Sequence, residues 1–270
     1  MMIRRFLMVA LCAMLVACGG GGSDKTPLND ACSDIGLSTK VLKIVNGTSC
    51  GDLASSPVVR VFLLDAGGGI AGFCSGSMIA SNAVLTAGHC LAVEPAAVSI
   101  VYGEAETALA ALVEQVHVHP DYQRVENSQT QAVFNDVAVM VLDRNLSLPT
   151  LPLARSVAPF AGQILSVFGY GTDENGDFDG NLLRSGQMSV TGVTPNHISA
   201  LYDGTGSNTC TGDSGGPLVM TIAGQPAIIG VTSSGSRTDC LAGDNSLFTN
   251  LQSQEVFSFI QQIVPSIGTL

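Results

Sequence analysis

A serine lies among three glycines in the stretch Gly212-Asp213-Ser214-Gly215-Gly216, which constrains the fold more than any other. Glycine adopts backbone dihedrals that other residues resist, and it lets a second backbone approach closely. The stretch therefore predicts a tight turn with an exposed hydroxyl beside free amide N–H groups. An acyl-transfer nucleophile needs both features, because such amides bind the negative charge of the tetrahedral intermediate. Considered alone, a glycine-rich turn with an incidental serine explains the stretch as well.

The order of the histidines separates two kinds of hydrolase. The stretch matches the Gly-x-Ser-x-Gly pattern of the α/β-hydrolase nucleophile turn, in which the histidine follows the serine in the chain. All four histidines, at positions 89, 117, 119 and 197, precede Ser214. The sequence therefore disfavours an esterase or lipase of that class and leaves the order His, Asp, Ser open.

The composition and the spacing of β-prone runs point to an all-β chain. The 270 residues are 46% hydrophobic and 12% charged, with 31 glycines and a net charge of −11. This acidic balance argues against nucleic acid and anionic membrane surfaces as electrostatic partners. Short β-prone runs at 60–64, 73–80, 83–86 and 98–102, broken by turn residues, favour a sandwich or barrel over βαβ units.

The first 43 residues resemble targeting and linker segments. Residues 1–17 combine a basic start with a short apolar run, which is typical of a signal peptide and too short to span a membrane. Cys18 and the glycines at 19–22 resemble a bacterial lipoprotein cleavage site followed by a flexible tether. We therefore expect export, a lipid on Cys18, anchoring to a bacterial outer membrane or cell surface, and a linker or propeptide over 18–43. Ordinary signal cleavage near Ala17 is the alternative.

Two further motifs precede Ser214 in the required order. Thr86-Ala87-Gly88-His89-Cys90 contains a histidine, and Asn135-Asp136 leads into an apolar run at 137–142. Separately, a histidine is more often structural and an aspartate at such a point usually caps a strand. Together with the serine stretch, the motifs resemble those of chymotrypsin/trypsin-like serine proteases, and the resemblance covers residues 44–270.

The resemblance implies an all-β fold with two six-stranded antiparallel Greek-key barrels. The first barrel is expected at about 44–150, and the second barrel with a C-terminal helix at about 151–270. Second-barrel strands are expected at 164–171, 186–191, 217–222, 227–232 and 246–251. Apolar residues at 256, 260 and 263 independently predict an amphipathic helix over 253–264.

The resemblance also implies a mechanism. Ser214 would attack a peptide carbonyl, His89 would take its proton, and Asp136 would orient His89. The backbone N–H groups of Gly212 and Ser214 would bind the oxyanion. The chain is then a serine endopeptidase acting on proteins or peptides, with no cofactor and no metal ion. A catalytically silent homologue that serves as a cell-surface binding or adhesion module is the alternative.

Lys43-Ile44-Val45-Asn46-Gly47 resembles the activation site of zymogens in this family. Cleavage after Lys43, expected from a different protease, would free the α-amino group of Ile44. The resemblance pairs that group with Asp213, and before cleavage we expect a disordered pocket.

Six cysteines remain after the signal peptide and Cys18, which fits three disulfides in an oxidising compartment. The resemblance pairs four of them as Cys74–Cys90 and Cys210–Cys240. We hypothesise that Cys32 and Cys50 bond and tie the activated domain to its anchor. A free or externally paired Cys32 is the alternative.

The specificity pocket departs from the pattern of trypsin. Asn208 stands six residues before the nucleophile, where trypsin-like enzymes have the aspartate that binds basic side chains. The walls are expected to include Ser233, Ser234 and Gly235, with Ser246 near the back. The sequence therefore predicts a neutral, polar pocket that does not select basic residues.

Overall fold

The structure, a computed structural model, describes residues 31–41, 47–126, 131–173 and 175–270. The expected signal peptide, Cys18 and the Lys43–Ile44 bond lie outside the described residues. Within these ranges, no helix combines the length and the apolar character needed to cross a membrane.

Strands dominate the described residues, which confirms the all-β prediction. The strands are β1 (Thr39–Val41), β2 (Thr48–Cys50), β3 (Val58–Leu64), β4 (Ile70–Ala80), β5 (Ala83–Thr86), β6 (Ala97–Tyr102), β7 (Leu109–Val118), β8 (Gln123–Glu126), β9 (Gln131–Phe134), β10 (Ala138–Leu142), β11 (Ile164–Gly169), β12 (Arg184–Ser189), β13 (Gly192–Val193), β14 (His197–Leu201), β15 (Pro217–Ile222), β16 (Gln225–Ser234) and β17 (Asn245–Asn250). The helices are α1 (Gly88–Leu91) and α2 (Gln254–Ile263).

The first half of the chain forms a closed antiparallel barrel in the order β10-β5-β4-β3-β6-β7. Its core is apolar, with Val61, Met78, Leu85, Ile100 and Met140 fully buried. The sequence analysis does not predict β7, because the apolar residues between 109 and 118 do not alternate with polar ones. In the structure, Leu109, Leu112 and Val116 of that strand are exposed. The barrel itself agrees with the expected fold.

The second half forms one nine-stranded sheet in the order β1-β2-β12-β11-β15-β16-β17-β14-β13. Six neighbouring strands of this sheet, β12-β11-β15-β16-β17-β14, wrap around a second apolar core. Cα atoms of β12 and β14 approach to within 8 Å, although no ladder of hydrogen bonds joins the two strands. This half therefore differs from a closed six-stranded barrel because β1, β2 and β13 extend its two ends.

Part of the expected linker is built into the second half. A 3₁₀ turn at Ala31–Ile35 buries Cys32, and Cys32 forms a disulfide with Cys50 of β2. The hydroxyl of Ser166 on β11 donates to the carboxylate of Asp34 in the same turn. Burial, a disulfide and strand pairing therefore hold residues 31–41 on the sheet.

The other two disulfides join Cys74 to Cys90 and Cys210 to Cys240, the pairs that the resemblance implied. The terminal helix α2 is also present, with Val256 and Ile260 buried against the first barrel's core cluster. Ser253 precedes the helix, but its side chain makes no capping hydrogen bond.

Candidate active site

His89 and Asp136 meet because the strands that carry them are neighbours. His89 lies on α1, directly after β5, and Asp136 lies just before β10; Thr86 of β5 pairs with Ala138 of β10. A Cβ atom on Gly88 would lie 3.2 Å from the backbone of Val137, so glycine permits this close approach.

Three hydrogen bonds hold the carboxylate of Asp136, which is fully buried. Nδ1 of His89 lies 2.8 Å from Oδ2, and the backbone N–H of His89 donates to Oδ1 at 2.7 Å. The hydroxyl of Ser233 donates to Oδ2 at 2.5 Å. An ionised carboxylate only accepts hydrogen bonds, so the contact between Asp136 and His89 places the imidazole proton on Nδ1 and leaves Nε2 free to accept one.

Ser214 lies in the loop between β14 and β15, next to the end of β5. The N–H of Ser75 donates to the carbonyl of Ser214 at 2.8 Å, and a Cβ atom on Gly215 would lie 2.1 Å from Oγ1 of Thr86. No hydrogen bond joins the Ser214 hydroxyl to His89 among the described contacts; Nε2 of His89 lies 3.8 Å from Sγ of Cys90. The Ser214 loop therefore packs beside the end of the strand that leads to His89, and the described contacts include no hydrogen bond between the two side chains.

The backbone around Ser214 leaves two N–H groups unused. The carbonyl preceding Gly212 accepts from the N–H of Thr172 at 2.9 Å, and the carbonyl preceding Ser214 accepts from the N–H of Gly216 at 2.9 Å. Within the described part of the chain, the N–H groups of Gly212 and Ser214 have no acceptor. Two fixed, unpaired donors beside a hydroxyl are suited to binding an oxyanion.

Asp213, between these donors, has its carboxylate buried without an ion-pair partner in the described ranges. Its oxygens accept the N–H groups of Gly171 and Cys210, each at 2.8 Å. Burial raises the pKa of Asp213 from 3.8 to about 6, although the two N–H bonds and the charge of Arg184 lower it. A positive charge placed next to this carboxylate would therefore stabilise its ionised form.

A cavity of about 210 Å³ opens beside Ser214. Ser233, Ser234 and Gly235 line it, as expected, although the hydroxyl of Ser233 also reaches Asp136. Asn208 and Ser246 are fully buried behind this lining, and Oγ of Ser246 donates to Oδ1 of Asn208 at 2.8 Å.

The cavity lining also includes three charged residues that the expected neutral pocket did not name: Asp244, Arg124 and Arg237. Nδ2 of Asn208 donates to Oδ2 of Asp244 at 2.9 Å, and Ser236 and the backbone of Arg237 donate to Oδ1. A Cβ atom on Gly235 would lie 3.0 Å from both carboxylate oxygens. Sequence spacing does not identify Asp244, since it follows a disulfide loop and reaches the cavity only through the pairing of β16 with β17.

Comparisons with known proteins agree on one family. A family model described as Trypsin matches residues 44–257. The chain is 29% identical to Trypsin 5G1 of Aedes aegypti over 174 residues, which cover 57% of this chain and 63% of that protein. It is 30% identical to Trypsin of Saccharopolyspora erythraea over 182 residues, or 60% of this chain and 75% of that protein. It is 28% identical to Chymotrypsin-like elastase family member 1 of Macaca fascicularis over 222 residues, or 73% of this chain and 81% of that protein.

The raised pKa of Asp213 predicts a pH-dependent stability of the uncut chain. The folded state binds this proton more tightly than the unfolded state, so stability falls as the pH rises from the unfolded value of 3.8 through the folded value of about 6. The loss amounts to about 3 kcal/mol once both states are ionised. In Asp213→Asn this loss is absent, so the variant should gain about that much free energy of unfolding relative to the wild type between about pH 4 and 7.

Urea unfolding, followed by circular dichroism at several pH values in a Ser214→Ala background, measures this difference. Asp239→Asn is the matched control, because Asp239 is exposed and its ion pair with Arg237 lowers its pKa to about 2. A difference between wild type and Asp213→Asn that stays constant across this range would contradict the prediction.

Proposed function

Because the chain belongs to the trypsin family, we propose that it is a serine endopeptidase acting on protein or peptide substrates through Ser214, His89 and Asp136. The bond between Asp136 and Nδ1 of His89 carries this proposal. It leaves Nε2 of His89 as the ring nitrogen that can accept a proton. His89 follows β5, and the Ser214 loop packs against the end of that strand.

The proposed reaction follows from the position of the protons. Oγ of Ser214 attacks the peptide carbonyl while Nε2 of His89 takes its proton, and Asp136 stabilises the imidazolium without being protonated. The N–H groups of Gly212 and Ser214 bind the oxyanion, and losing one such donor typically costs about 3 kcal/mol of transition-state stabilisation. The imidazolium then protonates the leaving amine, and water cleaves the acyl-enzyme by the same steps in reverse.

A fluorophosphonate probe distinguishes this enzyme from a catalytically silent binding module. The matured wild type should be labelled, because the probe phosphonylates only an activated serine. Ser214→Ala should abolish labelling, and Asp136→Asn should slow peptide hydrolysis about 10⁴-fold because the imidazole takes the wrong tautomer. Ser258→Ala, on the exposed face of α2, is the control and should be labelled like the wild type. A folded, matured wild type that stays unlabelled would favour the binding module.

We further propose that cleavage between Lys43 and Ile44 activates the chain. The freed ammonium of Ile44 would supply the positive charge that Asp213 lacks, since an unpaired buried charge costs about 3–5 kcal/mol. Strands β1 and β2 flank this bond, because β1 ends at Val41 and β2 begins at Thr48. Cleavage would therefore cut the connection between two paired strands and free an end next to the sheet.

The Cys32–Cys50 disulfide spans the proposed cleavage site. After cleavage, it would keep the anchored segment, with the lipid proposed on Cys18, attached to the catalytic domain. The cleaved protein should therefore run as one species on a denaturing gel without reductant and as two with it. The membrane fraction should retain the activity until reductant is added, and Cys18→Ser should be soluble. Separation of the two pieces without reductant would contradict the tether.

Asp244 supports a preference for cationic side chains at the residue before the scissile bond. Its three described hydrogen-bond donors are neutral, and the guanidinium of Arg237 pairs with Asp239 instead. Arg124 and Arg237 also line the cavity, so the proposed preference rests on the position of the Asp244 carboxylate and not on the net charge of the lining. Asp244 would attract a substrate cation beside it and repel an acidic side chain. Such a pocket would also accept Lys43. The proposed activator is therefore either a different protease or a second copy of this chain.

Asp244→Asn should lower kcat/KM for peptide anilides with Arg or Lys before the scissile bond by about 100-fold, because the buried charge pair is lost. Substrates with Ala or Val at that position should change by no more than about threefold. Asp143→Asn, whose exposed carboxylate pairs with Arg144 and lies outside the cavity lining, is the matched control. Equal loss on both kinds of substrate, or a wild type without preference for basic residues, would contradict this assignment.

A further inference from the structure

Ser75, on β4 of the first barrel, contacts the loop that carries the unused N–H groups of the opposite half. It is fully buried. Its hydroxyl donates to the carbonyl of Gly212 at 2.9 Å and accepts the N–H of Tyr170 at 3.0 Å. Its backbone N–H donates to the carbonyl of Ser214 at 2.8 Å. One residue therefore holds the carbonyls of both residues whose N–H groups face the oxyanion.

The contact with Gly212 matters because that residue has little stiffness of its own. Its φ is +97°, a left-handed conformation that glycine adopts and leaves readily. The peptide between Gly212 and Asp213 is held at its carbonyl by Ser75 and at its N–H by the carbonyl of Cys210, at 3.0 Å. Without the hydroxyl, a buried carbonyl would lack its donor and the peptide would be fixed at one end only.

The position of Ser75 is itself fixed. Oγ1 of Thr86 donates to its carbonyl at 2.8 Å, and the preceding Cys74 is bonded to Cys90 of α1. The same short segment therefore joins the helix that carries His89 to the loop that carries Ser214. Because Ser75 is itself held in place, its hydroxyl can fix the position of the Gly212 carbonyl.

We propose that Ser75 is a positioning residue for the oxyanion hole, which restrains the Gly212–Asp213 peptide from the opposite barrel. This inference rests on the proposed peptidase function. The Ser75 hydroxyl binds the carbonyl of Gly212 and not the carboxylate of Asp213, which accepts the N–H groups of Gly171 and Cys210. It therefore acts without the ammonium of Ile44 and orders this part of the loop in the uncut chain as well.

Kinetics of Ser75→Ala and Ser75→Gly in the matured enzyme test the proposal. Both should lower kcat about 10- to 100-fold, because displacing an oxyanion donor weakens the binding of the transition state more than that of the ground state. KM should stay within about twofold, since the substrate's ground state does not use the oxyanion donors fully. Ser77→Ala is the matched control: Ser77 is equally buried, faces the same side of β4, and has no described side-chain bond to the loop. It should leave kcat and KM within about twofold.

Hydrogen exchange gives a second measurement that needs no activity. In the Ser214→Ala background, Ser75→Ala should speed amide exchange in the peptide covering 209–216, and Ser77→Ala should not. Unchanged kcat in both Ser75 variants, or unchanged exchange, would overturn the positioning role. If the wild type hydrolyses nothing and resists the fluorophosphonate, the peptidase proposal fails instead, and exchange alone decides whether Ser75 restrains the loop.

Discussion

The buried carboxylate of Asp136 is the interaction on which the arrangement of the two halves depends. It accepts from His89 of the first barrel and from Ser233 of the second half, while Oγ1 of Thr249 donates to its backbone carbonyl at 2.9 Å. An ionised carboxylate removed from water is tolerated only when such donors surround it. A displacement of either half would strip donors from this charge, so the contact specifies how the halves meet.

Ser75 of the first barrel also forms hydrogen bonds with residues of the second half. Its bonds to Gly212 and Ser214 join the first barrel to the nucleophile loop, as the Asp136 bonds join it to β16. The proposed base, nucleophile and oxyanion donors therefore depend on one interface rather than on either barrel alone. The proposed chemistry requires both halves because neither half contains all of its groups.

The segment before the proposed cleavage site is part of the fold. Cys32 is buried and cross-linked, and β1 extends the sheet next to β2. The segment thus adds buried apolar area to the intact chain. Cleavage would change the charge balance at Asp213 without requiring the segment to leave.

Local sequence identifies the groups to which the proposed chemistry is assigned. His89, Asp136 and Ser214 stand in short patterns whose glycines and flanking apolar residues are readable along the chain, and α2 is visible from its apolar period. Tertiary structure alone decides where Asp244 and Ser75 lie and how residues 31–41 pack. Asp244 reaches the cavity through the pairing of β16 with β17, and Ser75 meets Gly212 across 137 positions of chain. A polar side chain between distant segments leaves no periodic trace, because its partners are chosen by folding and not by its neighbours in sequence.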